Sequence, residues 1–293
     1  MRIWLMAARP RTLPAAIAPV LLGTAAAVQW YGSLPRWGAF LAALVGSIFI
    51  QIGTNLANDY SDAKRGADTA DRLGPVRVTA SGMVTPQRVM RATWIAFAVA
   101  VACGIYLTTV AGWLIMVIGV FSIAAGVLYT GGPRPYGYAG FGEVFVFLFF
   151  GLVAVNGSYY VQLEEFDALS LGLSISIGFL ATAIIVVNNV RDIETDRRAG
   201  KNTLAVQIGR ENAVKLYAGL LAGGFGVLPI ALAAGGSSML PLIGLLAAPL
   251  ALRPAKTLGE RRDGPALNGV LAQTGAVLGV FSVLVTAGLL ISA

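Results

Sequence analysis

The run Trp37–Asp68, "WGAFLAALVGSIFIQIGTNLANDYSDAKRGAD", decides what kind of protein this is. From Trp37 to Ile52 it is apolar and carries no charge. From Thr54 to Asp68 it gathers two amides, Asn55 and Asn58, and three carboxylates, Asp59, Asp62 and Asp68. An uninterrupted apolar helix of about 17 to 25 residues crosses the ~30 Å of hydrocarbon in a bilayer. Similar runs recur along a chain that is 57% hydrophobic and only 12% charged. The sequence therefore predicts an all-α polytopic membrane helical bundle with about nine transmembrane helices. They fall near residues 13–29, 37–56, 92–110, 113–129, 142–161, 169–190, 213–234, 239–252 and 267–291. No linker or soluble module interrupts them, so 1–293 reads as a single transmembrane domain. Arg2, Arg9 and Arg11 before the first apolar run also fit an export signal, but the run is read as a retained first span because no soluble domain follows.

Charge sets the orientation. With nine spans, every Lys and Arg except Arg36 falls on one side, which the positive-inside rule places in the cytoplasm together with the N-terminus. The opposite loop between the fifth and sixth spans holds Glu164, Glu165 and Asp167 and no base. The net charge of +7 is thus a topology signal, and nucleic acid is not an expected partner. There is no His, and Cys103 stands alone inside a span, so imidazole chemistry, zinc and disulfides are excluded. The long cytoplasmic loops, about 59–91 and 191–212, follow the second and sixth spans and read as caps over one end of the bundle.

The acids that close the second span have a counterpart. "VVNNVRDIETDRRAGKNT", Val186–Thr203, closes the sixth, and Asn188, Asp192 and Asp196 recur there at every fourth residue. If the second-span helix continues, Asn55, Asn58, Asp59 and Asp62 also share one stripe. An even number of crossings separates the two segments, so both stripes meet at the cytoplasmic end. Clustered carboxylates repel one another and are costly to desolvate unless neutralised. Mg²⁺ suits oxygen donors and keeps part of its shell for phosphate oxygens. Bases follow each segment: Lys64, Arg65, Arg72 and Arg77, then Arg197, Arg198 and Lys201. Carboxylates for the metal beside guanidinium and ammonium groups for phosphate form a diphosphate site. Two other classes also use clustered acids. An ion-coupled transporter is expected to place them at the midplane on broken helices. A membrane phosphotransferase places close Asp pairs in one segment.

At "NDYSDAKRGAD" and "DIETD" the chain resembles the UbiA superfamily of intramembrane prenyltransferases. "AARPRTLPAAIAPVLLGTA", "GPVRVTASGMVTP", "YTGGPRPYGYAGFGEVFVFLFFG" and "GKNTLAVQIGR" are similar to its branch that prenylates 1,4-dihydroxy-2-naphthoate in menaquinone synthesis. The resemblance covers about residues 4–212. It implies Mg²⁺ held by Asn58, Asp59, Asp62, Asp68, Asn188, Asp192 and Asp196, with Asp62, Asp192 and Asp196 catalytic. Asp68 stands six residues beyond Asp62, where many members have four. The resemblance further implies a polyprenyl diphosphate bound by Lys64, Arg65, Arg77, Tyr129, Arg134 and Lys201. The allylic cation would be shielded by rings such as Tyr60, Tyr129 and Phe145, and the tail would lie among apolar helices or in membrane lipid. The acceptor's carboxylate would sit against Arg9 or Arg11. Attack at the ring carbon bearing that carboxylate lets CO₂ leave in place of a proton, which suits a chain without His; 4-hydroxybenzoate is the alternative acceptor. Because the acids are read as ligand oxygens rather than core, replacing Asp62, Asp192 or Asp196 with Ala is expected to abolish turnover and leave the fold intact.

Overall fold

The computed structural model describes residues 2–67 and 73–293, so Asp68 and Arg72 lie outside the described residues. No strand occurs among those described. The chain opens with α1 (Arg2–Ala8) and turns at Arg9, which takes a left-handed φ of 53°. It then enters α2 (Leu13–Tyr31), α3 (Trp37–Lys64), α4 (Pro86–Ala111) and α5 (Trp113–Leu128). The helix spanning Gly142–Leu163 is composite: α6 (Gly142–Val146), a π-helical turn over Phe147–Val153, and α7 (Ala154–Leu163). α8 (Ala168–Arg198) and α9 (Leu204–Ala234) follow, then a 3-10 stretch over Leu240–Ala247, α10 (Ala248–Glu260) and α11 (Gly264–Ile291).

Seven of these segments are long and apolar enough to cross a membrane, which makes the chain a multi-pass membrane protein. The fourth and eighth expected spans fall on shorter elements, and both still run between the two ends of the bundle. α5 starts beside Val110, whose carbonyl accepts from Arg36. It ends two residues before Thr130, whose hydroxyl donates to Asn58. The segment from Leu240 begins next to Ser237, bonded to Gln29, and ends where Leu258 accepts from Arg210. Sixteen residues at ~1.5 Å each give α5 about 24 Å, short of a full hydrocarbon core. α9 also departs from the expected span: helix begins at Leu204, but Gly209 breaks it with a φ of 77°, and the apolar stretch follows that kink.

α8 is the hub. Its most apolar window is 72% buried against 28% for α4, and it packs most extensively on α9. Lipid tails are as apolar as the side chains they meet, so helices in a bilayer associate through close packing rather than water exclusion. Gly151 in the π-helical turn illustrates this: a Cβ there would sit 2.6 Å from the Cα of Gly178 on α8. Trp94, Ile105, Trp113 and Phe121 on α4 and α5 stay exposed, the composition of a lipid-facing surface. At one end of the bundle Arg36 donates to Glu164 at 2.6 Å and, through its backbone N–H, to Gln162 Oε1, clasping the loop before α3 to the end of α7. The other end carries the two acidic segments.

Candidate active site

The ends of α3 and α8 lie at the same end of the bundle, linked through Asp62 of α3 and Lys201 after α8, and the loop after α3 folds back over α3. Asp59 does not face α8. Its two oxygens accept the backbone N–H groups of Val78 (3.1 Å) and Thr79 (2.9 Å), and Val78 and Val84 pack on Leu56, Val89 and Ala7. Asp59 therefore anchors the cap loop, and that role sets it apart from the stripe it shares in sequence. Tyr60 packs in the same cluster rather than at the cavity. Asn55 likewise turns away, donating to the carbonyl of Ala8 and the hydroxyl of Thr12, so it holds the N-terminal segment.

Asp62 is the centre of the polar end, 1% exposed. One of its oxygens meets Arg77 Nη2 at 3.1 Å and Lys201 Nζ at 3.2 Å, and the other accepts from the Tyr138 hydroxyl at 2.7 Å. These three partners come from the cap loop, the loop after α8 and the loop before α6. Lys201 Nζ also lies 4.7 Å from the centre of the Tyr138 ring, whose other cationic neighbour is Arg65 at 5.6 Å. Lys201 is placed by its backbone as well, its N–H closing on the Asp196 carbonyl at 2.8 Å.

On α8, Asn188, Asp192 and Asp196 keep the expected one-turn spacing, and the structure adds Arg191. Its Nε and Nη2 hold Asp192 at 2.8 and 2.6 Å, Nη2 reaches Asn188 Oδ1 at 2.6 Å, and Nη1 reaches Asn268 of α11 at 2.8 Å. Asp196 is half-buried at the helix end, within Coulombic reach of Tyr129 together with Asp62 and Glu143. Of the bases expected on diphosphate, Arg77 and Lys201 converge on Asp62. Arg65 is exposed and bonded to Gly132, and Lys64 and Arg134 are exposed.

A cavity of about 1040 Å³ opens from this polar end. Arg9, Arg11, Asn58, Arg77, Asn188 and Arg191 line its mouth. Its body runs between α3, α4, α5 and the composite helix and is lined by apolar residues. A stack of rings leads inward: Tyr129 meets Tyr136 edge-on at 5.5 Å, Tyr136 lies over Phe145 at 3.9 Å, and Phe145 continues to Phe149 at 6.1 Å. The π-helical turn belongs to this wall, a feature common at functional sites. Burial pushes the Tyr136 phenol up, and its hydroxyl donates to the carbonyl of Ala125 at 2.9 Å, so the ring stays neutral.

Three polar groups here carried little sequence signal: Tyr138, Arg191 and Glu143. Tyr138 is one aromatic in a Gly-rich loop, and Arg191 reads as one more cytoplasmic base. Glu143 is 5% exposed, accepts from Asn189 at 2.8 Å through Oε1, and has no hydrogen-bond partner for Oε2 among the described residues. Its signal was a carboxylate opening an apolar span.

The donors suit a hard cation. Among the described residues no three acids converge into a closed cage. Carboxylates and amides instead form two half-sites, on α3 and on α8, across a gap bordered by bases. That arrangement fits Mg²⁺, which binds through one or two carboxylates and completes its shell with water and phosphate.

Comparison with known proteins agrees with the fold. Residues 16–268 match the model of the UbiA prenyltransferase family. The chain is 46% identical to 1,4-dihydroxy-2-naphthoate octaprenyltransferase of Mycobacterium tuberculosis, covering 98% of this chain and 96% of that protein. It is 39% identical to the Escherichia coli protein of the same name, covering 94% and 91%. The solved structure of a UbiA homolog from Archaeoglobus fulgidus bound to DMAPP and Mg²⁺ superposes with a TM-score of 0.68 at 17% identity, covering 98% of each chain. With a family match over most of its length and relatives this similar along nearly all of theirs, the chain belongs to the UbiA prenyltransferase family.

Proposed function

We propose that this protein transfers a polyprenyl group from an allylic polyprenyl diphosphate to 1,4-dihydroxy-2-naphthoate, with loss of CO₂ and diphosphate, giving demethylmenaquinol. One observation carries the reading: Asp62 on α3, Lys201 after α8 and Arg77 in the cap loop converge within about 3 Å at the polar mouth of a long apolar cavity. A diphosphate with an isoprenoid tail has that same division of chemistry. The names of the mycobacterial and enterobacterial relatives supply the acceptor.

In this reading Asp62, Asp192 and Asp196, with Asn58 and Asn188, would hold Mg²⁺, which would supply positive charge to balance the departing diphosphate. Asp59 serves the same site by holding the cap loop that carries Arg77. Asp68 remains part of the proposed ligand set from its motif position alone. Lys201 and Arg77 take the outer phosphate oxygens, with Lys64, Arg65 and Arg134 at the rim and Tyr129 beside the mouth. As the allylic C–O bond breaks, its electron pair leaves with diphosphate. The rings of Tyr129, Tyr136 and Phe145 form an aromatic wall that shields the resulting cation. The apolar wall excludes water, which would otherwise capture it. The ring carbon bearing the carboxylate forms the new C–C bond, and the bond to CO₂ breaks to return its pair to the ring. Arg9 and Arg11 line the mouth where the acceptor's carboxylate would lie. The bases gathered at this end support a cytoplasmic site, with the C-terminus on the opposite side of the cell membrane.

The test is a competition. Purified protein receives a long-chain prenyl diphosphate, Mg²⁺, and equal amounts of 1,4-dihydroxy-2-naphthoate and 4-hydroxybenzoate. Prenylated naphthoquinol is the expected product, and preference for the benzoate would remove the acceptor assignment.

A further inference from the structure

Arg191 is a heavily engaged base at the polar end, and prenyl transfer as described gives it no part. It is 3% exposed, lines the cavity mouth, and spends its fork on the acid next to it in sequence. Neighbouring residues on a helix do not face one another, so this contact requires the long side chain to fold back along α8. The fold-back brings it onto Asn188 as well, and onto Asn268, whose amide in turn donates to the Leu73 carbonyl of the cap loop at 2.9 Å. One guanidinium thus engages both oxygens of Asp192 and the oxygen of Asn188, two of the three donors on α8. It has five N–H groups. Four are used on Asp192, Asn188 and Asn268, which leaves one on Nη1 at the cavity mouth.

A bidentate guanidinium and a divalent cation seek the same carboxylate oxygens. They cannot both take Asp192 through the faces the fork now covers. A guanidinium released there would stand buried and uncompensated unless an anion met it. The cavity it lines is where the anionic substrate enters.

We propose that Arg191 and the metal exchange on Asp192: as Asp192 and Asn188 pass to the metal, the guanidinium turns to an anionic oxygen of the bound substrate. That oxygen belongs to diphosphate or to the aromatic carboxylate, both planar or tetrahedral oxyanions that a fork fits. The inference rests on the prenyl-transfer reading. Metal and substrate then bind with positive coupling, because each takes one partner of an existing pair, and the coupling is reciprocal.

The experiment titrates Mn²⁺, a spectroscopic substitute for Mg²⁺, into wild type, Arg191→Gln and Arg191→Lys by electron paramagnetic resonance, with and without a non-ionising prenyl thiodiphosphate. Arg191→Gln is expected to bind Mn²⁺ alone about tenfold or more tightly than wild type, the worth of displacing a charge-assisted pair. It should lose most of the wild-type enhancement by thiodiphosphate. Arg191→Lys, which keeps the charge without the fork, should fall between, and it carries the test if the Gln variant does not fold. Binding of thiodiphosphate and of the naphthoate, measured separately, tells the two oxyanions apart: Arg191→Gln should weaken the one that Arg191 meets. Unchanged or weaker Mn²⁺ binding in both variants, or no loss for either anion, overturns the exchange while leaving prenyl transfer standing. Wild-type protein that binds no metal even with thiodiphosphate overturns both.

Discussion

Asp62 does more than offer a ligand oxygen, and its replacement is the sharpest test of how the polar end is built. The carboxylate is 1% exposed and faces two cations that are themselves 8% exposed, Arg77 and Lys201. Removing it takes from both the anion they share, and breaking a buried pair from one side costs about 3–5 kcal/mol. The expectation from sequence alone, that Asp62→Ala stays folded as before, is therefore revised: turnover is lost and stability falls as well. Lys201→Met is milder, about 1–3 kcal/mol, because Asp62 keeps Arg77 and the Tyr138 hydroxyl. In the double variant the two losses should overlap, with a coupling of about 0.5–3 kcal/mol. Unfolding in mixed micelles of dodecyl maltoside and SDS, followed by circular dichroism, gives all three values. Asp62→Ala with wild-type unfolding free energy, or losses that simply add, would refute the reasoning.

Other outcomes separate the acids by role. Asp196→Ala should abolish turnover with under about 1 kcal/mol lost, since the residue is half-buried at a helix end; activity within a fewfold of wild type would remove it from the metal set. Asp59→Ala strips the amides of Val78 and Thr79 of their acceptor, so hydrogen exchange over residues 73–84 should quicken, with α8 unchanged. Asn189→Ala leaves Glu143 without its hydrogen bond in an apolar span and should cost about 1–3 kcal/mol in the same unfolding assay. Residues 162–168 should be labelled from outside intact cells and the loops after α3 and α8 from inside, and the reverse pattern would invert the orientation.

Hydrophobic runs made the helices legible, because a bilayer imposes length and apolarity directly on sequence. The same rule blurred α5 and the segment from Leu240, which are short, and it gave no sign of the π-helical turn at Phe147–Val153. In that turn Gly151 meets Gly178 of the following helix, a close approach that no hydrophobic pattern announces. The two acidic segments were legible through their spacing, yet helical periodicity alone grouped Asp59 with Asp62. Their divergence is tertiary: the cap loop returns from Val78 to claim Asp59, while Lys201 and Tyr138 arrive from other elements to claim Asp62. Arg191 was hidden by the charge rule itself. A base at a cytoplasmic helix end is unremarkable until its guanidinium is seen on Asp192.

The central claim is decarboxylative prenyl transfer, and the fate of the acceptor's carboxyl carbon tests it most directly. Purified protein is given 1,4-dihydroxy-2-naphthoate labelled in that carbon, a long-chain prenyl diphosphate and Mg²⁺, and released CO₂ is counted against prenylated naphthoquinol. The expected result is equimolar labelled CO₂ and product, both lost when Mg²⁺ is chelated and in Asp192→Ala. Prenylated product that retains the label, or product formation undiminished in Asp192→Ala, would contradict it.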